Sequence, residues 1–317
     1  MQEIIVFGTG YYANSKWNDI IKEYQVVAVL DNKIKKAEMQ LFNQIRVYNP
    51  QYYENINKYP ILIMMREYVS VVNQLKKMGV DSENIWIINS DIESKGIKYK
   101  ISADIDKVIA LPDFAIDEDW GYRRGTPIGR VYIDKFLEKY KQHIRGDIME
   151  VAETTYSERF SVKEDTSSYT AIHIDGADGC RRANLETAEG LIEDEFDTMI
   201  ITQTLAYIYD LKAVVKNIYK SLKKNGYCMI TVTDIGHMGC LEADLYGSYW
   251  GFHSDGIKRL FIETFGEGNV TVEKYGNIKT VAAQLYGLAA EDIEKECLEW
   301  NDARYPMIIG VVAHKVG

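Results

Sequence analysis

FDTMIITQTLAYIYDLKAVVKNIYKSLKKNGYCMITV, Phe196 to Val232, is the stretch whose reading decides the fold. An acidic lead-in, Glu193 to Glu195, precedes it. Met199 to Ile201 is a short apolar run flanked by threonines, which suits a strand. Leu211, Val214, Val215, Ile218 and Leu222 then recur at helical spacing, with Lys212, Lys216 and Lys220 on the other face. Lys223 and Lys224 fall in the expected last turn, and Asn225-Gly226 is expected to end the helix. Met229 to Val232 begins a second strand. Strand, helix and strand in this order imply a βαβ unit and a parallel sheet.

Composition narrows what surrounds that unit. A chain of 317 residues is long for one domain, and two are expected. The formal net charge of −10, without a Lys/Arg block, argues against nucleic acid as a partner. Cys180, Cys228, Cys240 and Cys297 show no CxxC spacing, so reduced thiols and a cytoplasmic location are expected. Met1 leads directly into strand-like Ile4 to Phe7, so no signal peptide is expected, and no apolar run is long enough to span a bilayer. The 23 tyrosines suit core and interface packing, which leaves a homo-oligomer open, or stacking against carbohydrate.

Residues 1–103 read as one α/β domain. Glu3 to Phe7 is a buried strand, Gly8-Thr9-Gly10 a tight turn, Tyr11 to Tyr24 a helix, and Gln25 to Leu30 a strand ending at Asp31-Asn32. This is the order of a mononucleotide-binding half-unit. Gly8 and Gly10 would let helix-start amides meet a phosphate, and Asp31 would take a ribose diol. The third fingerprint glycine is absent, and short glycine turns also close α/β crossings that hold no ligand. Short strands at Ile45 to Tyr48, Ile61 to Met65 and Ile85 to Ile88, with a helix from Glu67 to Met78, continue the alternation. The layout resembles the small Rossmann-like domain that precedes catalytic domains in bacterial sugar-modifying enzymes, with Phe7-Gly8-Thr9-Gly10 and Val29-Leu30-Asp31-Asn32 as the matching segments. Ser90 to Ile105 reads as a linker.

Residues 104–317 form the second expected domain. WGYRRGTPIGR, Trp120 to Arg130, suits a loop folded over a pocket or a surface loop pinned by its aromatics. Val131 to His143 is a helix, and Ile148 to Ala152 and Tyr169 to Ile174 are strands. His173, inside the second of these, is expected to be a core residue. Asp255 to Phe265 and Lys279 to Leu288 are helical, and Asn269 to Tyr275 and Met307 to Ala313 complete the strands. His237, Cys240 and Asp244 have helix-like spacing, but no second cluster completes a metal site, and none is expected.

Phe196 to Val232 resembles the fourth and fifth strands of class I S-adenosylmethionine (SAM) methyltransferases, with Leu222-Lys223-Lys224-Asn225-Gly226 in place of the family's Leu-Lys-Pro-Gly-Gly-like turn. GTPIGRVYIDKFL and IRGDIMEVAETTYSERF resemble, more specifically, a methyltransferase group associated with polysaccharide biosynthesis. Arg124 to Ile128, Tyr156, Arg159 and Tyr275-Gly276-Asn277 carry that match. The resemblance implies a small Rossmann-like domain followed by a doubly wound α/β sheet with an antiparallel closing strand. It implies SAM as cofactor, a small-molecule or glycan acceptor, and O-methylation of a sugar. The residues it points to are Glu150, Ala152, Glu153 and Tyr156 in the first motif, and Asp175 on the ribose. Asn184 and Leu185 fall at the adenine, with an Asn184 carbonyl meeting the exocyclic amine, and Gln203 falls at the sheet edge.

Ala152 stands where the family has glycine. If its φ is negative, alanine fits with a small shift of the ligand, and this is the expected case; a positive φ would strain it. His237 and His253 are the candidate bases for a sugar hydroxyl, or exposed loop histidines. Tyr249-Trp250 would stack on a sugar ring or seal the core. Two other readings stay open: a methyltransferase fold that has become a non-catalytic binding or assembly module, and a nucleotide-sugar-modifying enzyme using the first domain.

Overall fold

The computed structural model describes residues 1–35, 40–65, 68–88, 98–100, 111–236 and 240–317. They fall into two compact units, Met1–Leu111 and Pro112–Gly317.

The first unit runs β1 (Gln2–Phe7), α1 (Tyr11–Glu23), β2 (Tyr24–Leu30), β3 (Gln40–Phe42), β4 (Ile45–Tyr48), β5 (Ile61–Ile63), α2 (Val69–Lys77), β6 (Ile85–Ile88) and β7 (Lys98–Lys100). The sheet order is β3-β4-β2-β1-β5-β6-β7. Its middle strands are parallel, and β3 and β7 close the edges antiparallel. Successive residues of β1 point to opposite faces. Ile4 and Val6 pack with Ala13, Trp17 and Ile20 of α1, whereas Ile5 and Phe7 pack with Val71, Val72 and Leu75 of α2. The helices therefore cover both faces. The expected linker from 90 to 105 contains β7, which pairs with β6; the rest of it lies outside the described residues.

The second unit runs α3 (Ile128–Tyr140), β8 (Gly146–Val151), α4 (Thr155–Phe160), β9 (Thr166–His173), β10 (Arg181–Arg182), β11 (Phe196–Thr202), α5 (Leu211–Ser221), β12 (Leu222–Thr233), α6 (Cys240–Tyr246), α7 (Ser254–Phe265), β13 (Val270–Tyr275), α8 (Ile278–Leu285), α9 (Lys295–Glu299) and β14 (Ile308–His314). Its sheet order is β10-β9-β8-β11-β12-β14-β13. The first five strands in that order are parallel, and β14 is antiparallel to both neighbours. This is the doubly wound sheet with an antiparallel closing strand that the resemblance implies. Met199 and Ile201 enter one core with Val214, Ile218 and Phe261, and Ile200 enters the other with Tyr132, Phe136 and Ile148. Strand β11 is thus buried on both sides, which is why it reads as an unbroken apolar run.

Two expectations need correction here. Helix α5, capped by the Asp210 carboxylate on the Ala213 amide at 3.0 Å, stops at Ser221, not at Asn225-Gly226. The chain joins β12 at Leu222, and the pairing with β11 then jumps from Phe196↔Leu222 to Thr198↔Tyr227. Lys223 to Gly226 loop out between these pairs. Lys223 Nζ is drawn between Asp147 and Asp197 at 2.7 and 2.8 Å, and Asn225 takes a left-handed φ of 64°. His173 is likewise no core residue: it ends β9 half-buried.

Candidate active site

Parallel strands end with their C-terminal carbonyls and the following loops on one edge, where open α/β sheets collect ligands. In the second unit the loops after β8, β9, β10, β11 and β12 enclose a cleft of about 1150 Å³ on that edge.

The loop after β8 is built around Glu150. Its carboxylate is 1% exposed and accepts the amides of Tyr156 at 3.2 Å and Ser157 at 2.7 Å. Burial raises its pKa, and the two amide bonds oppose that rise. Glu150 therefore shapes the turn into α4 from beneath. Ala152 follows with φ 70°, its amide bonded to the Ile172 carbonyl at 2.8 Å. The expected negative φ is overturned: the turn out of β8 places Ala152 in the left-handed region that favours glycine. Ala152, exposed Glu153 and buried Tyr156 all border the cleft.

Arg130 of α3 faces this loop. Its Nε donates to the Tyr122 hydroxyl at 2.6 Å and its Nη1 to the Tyr156 hydroxyl at 3.1 Å. Its guanidinium lies 5.6 Å from both ring centroids and 3.9 Å from the Glu153 carboxylate. Burial pushes the Tyr156 phenol up to about 12, so it stays protonated beside that cation. The sequence reading did not single out Arg130, although it closes the Trp120 to Arg130 segment.

At the end of β9 it is His173 and Ile174 that border the cleft. Asp175 is exposed, lies outside the cleft lining, and donates its amide to His173 Nδ1 at 3.2 Å. His173 Nε2 also meets the Tyr246 hydroxyl of α6 at 3.5 Å. Asn184 and Leu185 are in the wall, but Asn184 Oδ1 already accepts the amides of Glu186 and Thr187 at 2.8 and 3.1 Å. Its side-chain amide nitrogen, a donor, is the group left for a ligand. Gln203 borders the cleft with φ 51°. Its side chain ties β11 to β12, donating to Thr231 Oγ1 at 3.2 Å and accepting from Thr233 Oγ1 at 2.6 Å.

Past β12, Asp234 borders the cleft with its side chain 9% exposed. Its Oδ1 is buried and lacks an in-line hydrogen-bond donor. Exposed His253 places Nδ1 at 2.7 Å from it, a contact that becomes an ion pair only when the ring is protonated. His253 itself is outside the cleft lining, and His237 lies outside the described residues. Tyr209, Tyr249 and Trp250 stand together at the cleft, 66%, 49% and 42% exposed. Tyr209 stacks on Trp250 with centroids 6.1 Å apart and meets Tyr249 edge-on at 5.5 Å. Trp250 is fixed by its Nε1 bond to the Ile208 carbonyl at 3.1 Å. Tyr249-Trp250 thus does not seal the core.

The Trp120 to Arg130 segment forms another wall, as a loop over a pocket should. Trp120, Tyr122 and Pro127 border the cleft. Arg124 forks onto Asp292 with two 2.8 Å bonds, and Thr126 holds Glu291 through its amide and hydroxyl at 2.8 Å each. Arg124 holds the Asp292 carboxyl down at about 2.

In the first unit, Gly8 has φ 113°, and a side chain there would crowd Met65 and the Met64 carbonyl. Gly10 precedes α1 with open space around it. Both Asp31 oxygens are engaged, by Thr9 Oγ1 at 2.6 Å and the Lys33 amide at 2.9 Å.

The cleft fits SAM by chemistry. Ile174, Leu185 and Ala206 offer an apolar wall for a base. Asp119, Glu153, Glu186 and Asp234 are its carboxylates, and Arg130 is the guanidinium among the described lining residues. That balance suits a ligand with two positive groups and one carboxylate. Among the described residues no cluster is arranged to hold a metal, and no helix is long and apolar enough to cross a membrane.

Residues 142–230 match the family described as Methyltransferase domain. A search of curated proteins gives no match. Among solved structures, the chain is similar to a SAM-dependent methyltransferase from Archaeoglobus fulgidus, at 13% identity and TM-score 0.39, covering 59% of this chain and 94% of that one. A SAM-dependent methyltransferase from Mesorhizobium loti also has 13% identity and TM-score 0.39, covering 56% and 95%. Phosphoethanolamine N-methyltransferase 2 from Haemonchus contortus, in complex with SAM, has 9% identity and TM-score 0.37, covering 100% and 95%. The domain match lies on the unit whose strand order and edge cleft are described above, and it supports a SAM-dependent methyltransferase enzyme with SAM as its cofactor.

Proposed function

We propose that the second unit transfers a methyl group from SAM to a sugar hydroxyl, in the assembly of a surface polysaccharide. The observation that carries the reading is the cleft itself. One end is a tight backbone turn at Ala152 with a guanidinium opposite, and the other is an aromatic cluster beside a buried carboxylate. SAM supplies an electrophilic methyl group when bound. Arg130 would hold its carboxylate, Glu153 its ammonium group, and Asn184 and Leu185 its base. The protein's remaining work is to orient the acceptor, exclude water and receive one proton. Asp234, or His253 through it, is placed to receive that proton.

The test uses the full chain with methyl-labelled SAM and a panel of mono- and oligosaccharides. Label should appear in a saccharide, with S-adenosylhomocysteine formed in equal amount. Failure of both wild type and Ala152→Gly to bind SAM in calorimetry, with folding intact, would turn the reading to the non-catalytic module.

A further inference from the structure

We infer that Tyr209, Tyr249 and Trp250 form a shelf for an uncharged sugar ring, and that Asp234 Oδ1 accepts a hydrogen bond from one of that ring's hydroxyls. This rests on the methyl-transfer reading above and names the acceptor class for the same cleft. Three large aromatic side chains in mutual contact remain 42–66% exposed at the cleft. An exposed aromatic cluster is costly in water unless a ligand covers it. Its geometry is held, not loose: Trp250 Nε1 is bonded to Ile208, and the Tyr249 amide to the Ala206 carbonyl at 2.8 Å. Tyr209 and Trp250 lie within 29° of parallel and Tyr249 stands at 73° to Tyr209, an anchored aromatic corner that suits the C–H face of a pyranose as well as a planar base.

The charges separate those occupants. Asp234 Oδ1 is a buried acceptor whose neighbour, Nδ1 of the exposed His253 at 2.7 Å, is not in line, and a ligand hydroxyl that displaces that ring completes it with an in-line donor. A hydroxyl supplies that donor; a phosphate or carboxylate does not. Glu186 and Asp234 both line the cleft, and Arg130, the guanidinium among its described lining residues, is the group assigned above to the carboxylate of SAM. An anionic acceptor, such as a nucleoside diphosphate sugar, would meet like charge here. A neutral glycoside, rich in donors and with an apolar face, meets both features.

The experiment is saturation-transfer NMR on the full chain loaded with S-adenosylhomocysteine. The probes are neutral methyl glycosides of several hexoses and deoxyhexoses, with UDP-glucose and glucose 1-phosphate beside them. At least one neutral glycoside should bind, through its ring protons, more tightly than either anionic compound. Trp250→Ala and, separately, Tyr209→Ala should weaken it about tenfold while S-adenosylhomocysteine affinity is kept. Asp234→Asn should weaken it by a similar factor. Tyr209→Ala guards against misfolding, because that side chain is 66% exposed. Preference for the anionic probes, binding of no glycoside, or loss of S-adenosylhomocysteine affinity in both aromatic variants would each overturn the inference, the last by placing the shelf under the adenine. If wild type binds no S-adenosylhomocysteine, the methyl-transfer reading fails by itself, and glycoside titration of the unloaded chain still decides the shelf.

Discussion

The Ala152 amide donates to the Ile172 carbonyl at 2.8 Å, and Ala152 itself turns the chain out of β8 at φ 70°. Val151 pairs with Ile172 in the register of β8 and β9, and the left-handed φ at Ala152 then carries the chain out of the sheet toward α4. An L-residue pays about 1 kcal/mol or more for that conformation.

Ala152→Gly is therefore expected to stabilise the fold by about 1 kcal/mol, after allowing for the greater freedom of glycine in the unfolded chain. Scanning calorimetry should show a rise in Tm of a few degrees. Removing the methyl group from the cleft wall should also tighten SAM binding. An unchanged or lower Tm would mean the left-handed turn carries no strain.

His173 and Asp175 divide the ribose question. His173 borders the cleft and Asp175 does not. His173→Ala should weaken S-adenosylhomocysteine on the order of fivefold, as expected for one lost hydrogen bond. Asp175→Ala should change it by less than about twofold. Calorimetry on the two variants decides; the reverse order would assign the ribose to Asp175.

Arg124 and Asp292 pin the Trp120 to Arg130 wall. Asp292 titrates at about 2, below its ordinary value of 3.8, because the guanidinium holds its charged form. A depressed carboxyl stabilises the fold above its unfolded pKa, and the contribution is lost as pH falls through the folded value. The Tm difference between wild type and Arg124→Ala should be full near about pH 6, shrink once pH drops below about 4, and vanish near about pH 2. Added salt should narrow it as well, since the pair is partly exposed. A pH-independent difference would assign the loss to packing of the arginine stem.

The second unit carries a complete sheet and both of its own cores. A fragment of residues 112–317 should fold cooperatively and bind S-adenosylhomocysteine within about threefold of the full chain. Chemical denaturation and calorimetry test it. An unfolded fragment would make the first unit part of the second unit's stability.

Much of this was legible in the chain. Apolar runs such as Met199 to Ile201 and the helical spacing of Leu211 to Ile218 depend on burial within one element, and periodicity reports that directly. Leu185 and Gln203 border the cleft, and Glu150 lies beneath its first turn. Helix α5 ends at Ser221 where Leu222 turns extended and pairs with Phe196 of β11, a residue distant in sequence. The left-handed φ at Ala152 and the half-buried place of His173 at the end of β9 arise where the chain leaves the sheet edge, which periodicity within one element does not report. Arg130 between two tyrosines, and Asp234 beside Tyr209 and Trp250, join segments with no common period. By itself the sequence determined those strands and helices whose burial repeats within one element, such as β11 and α5, because periodicity reports local burial. Only the tertiary structure decided which polar groups face one another across the cleft, because those contacts are set by strand order and loop path.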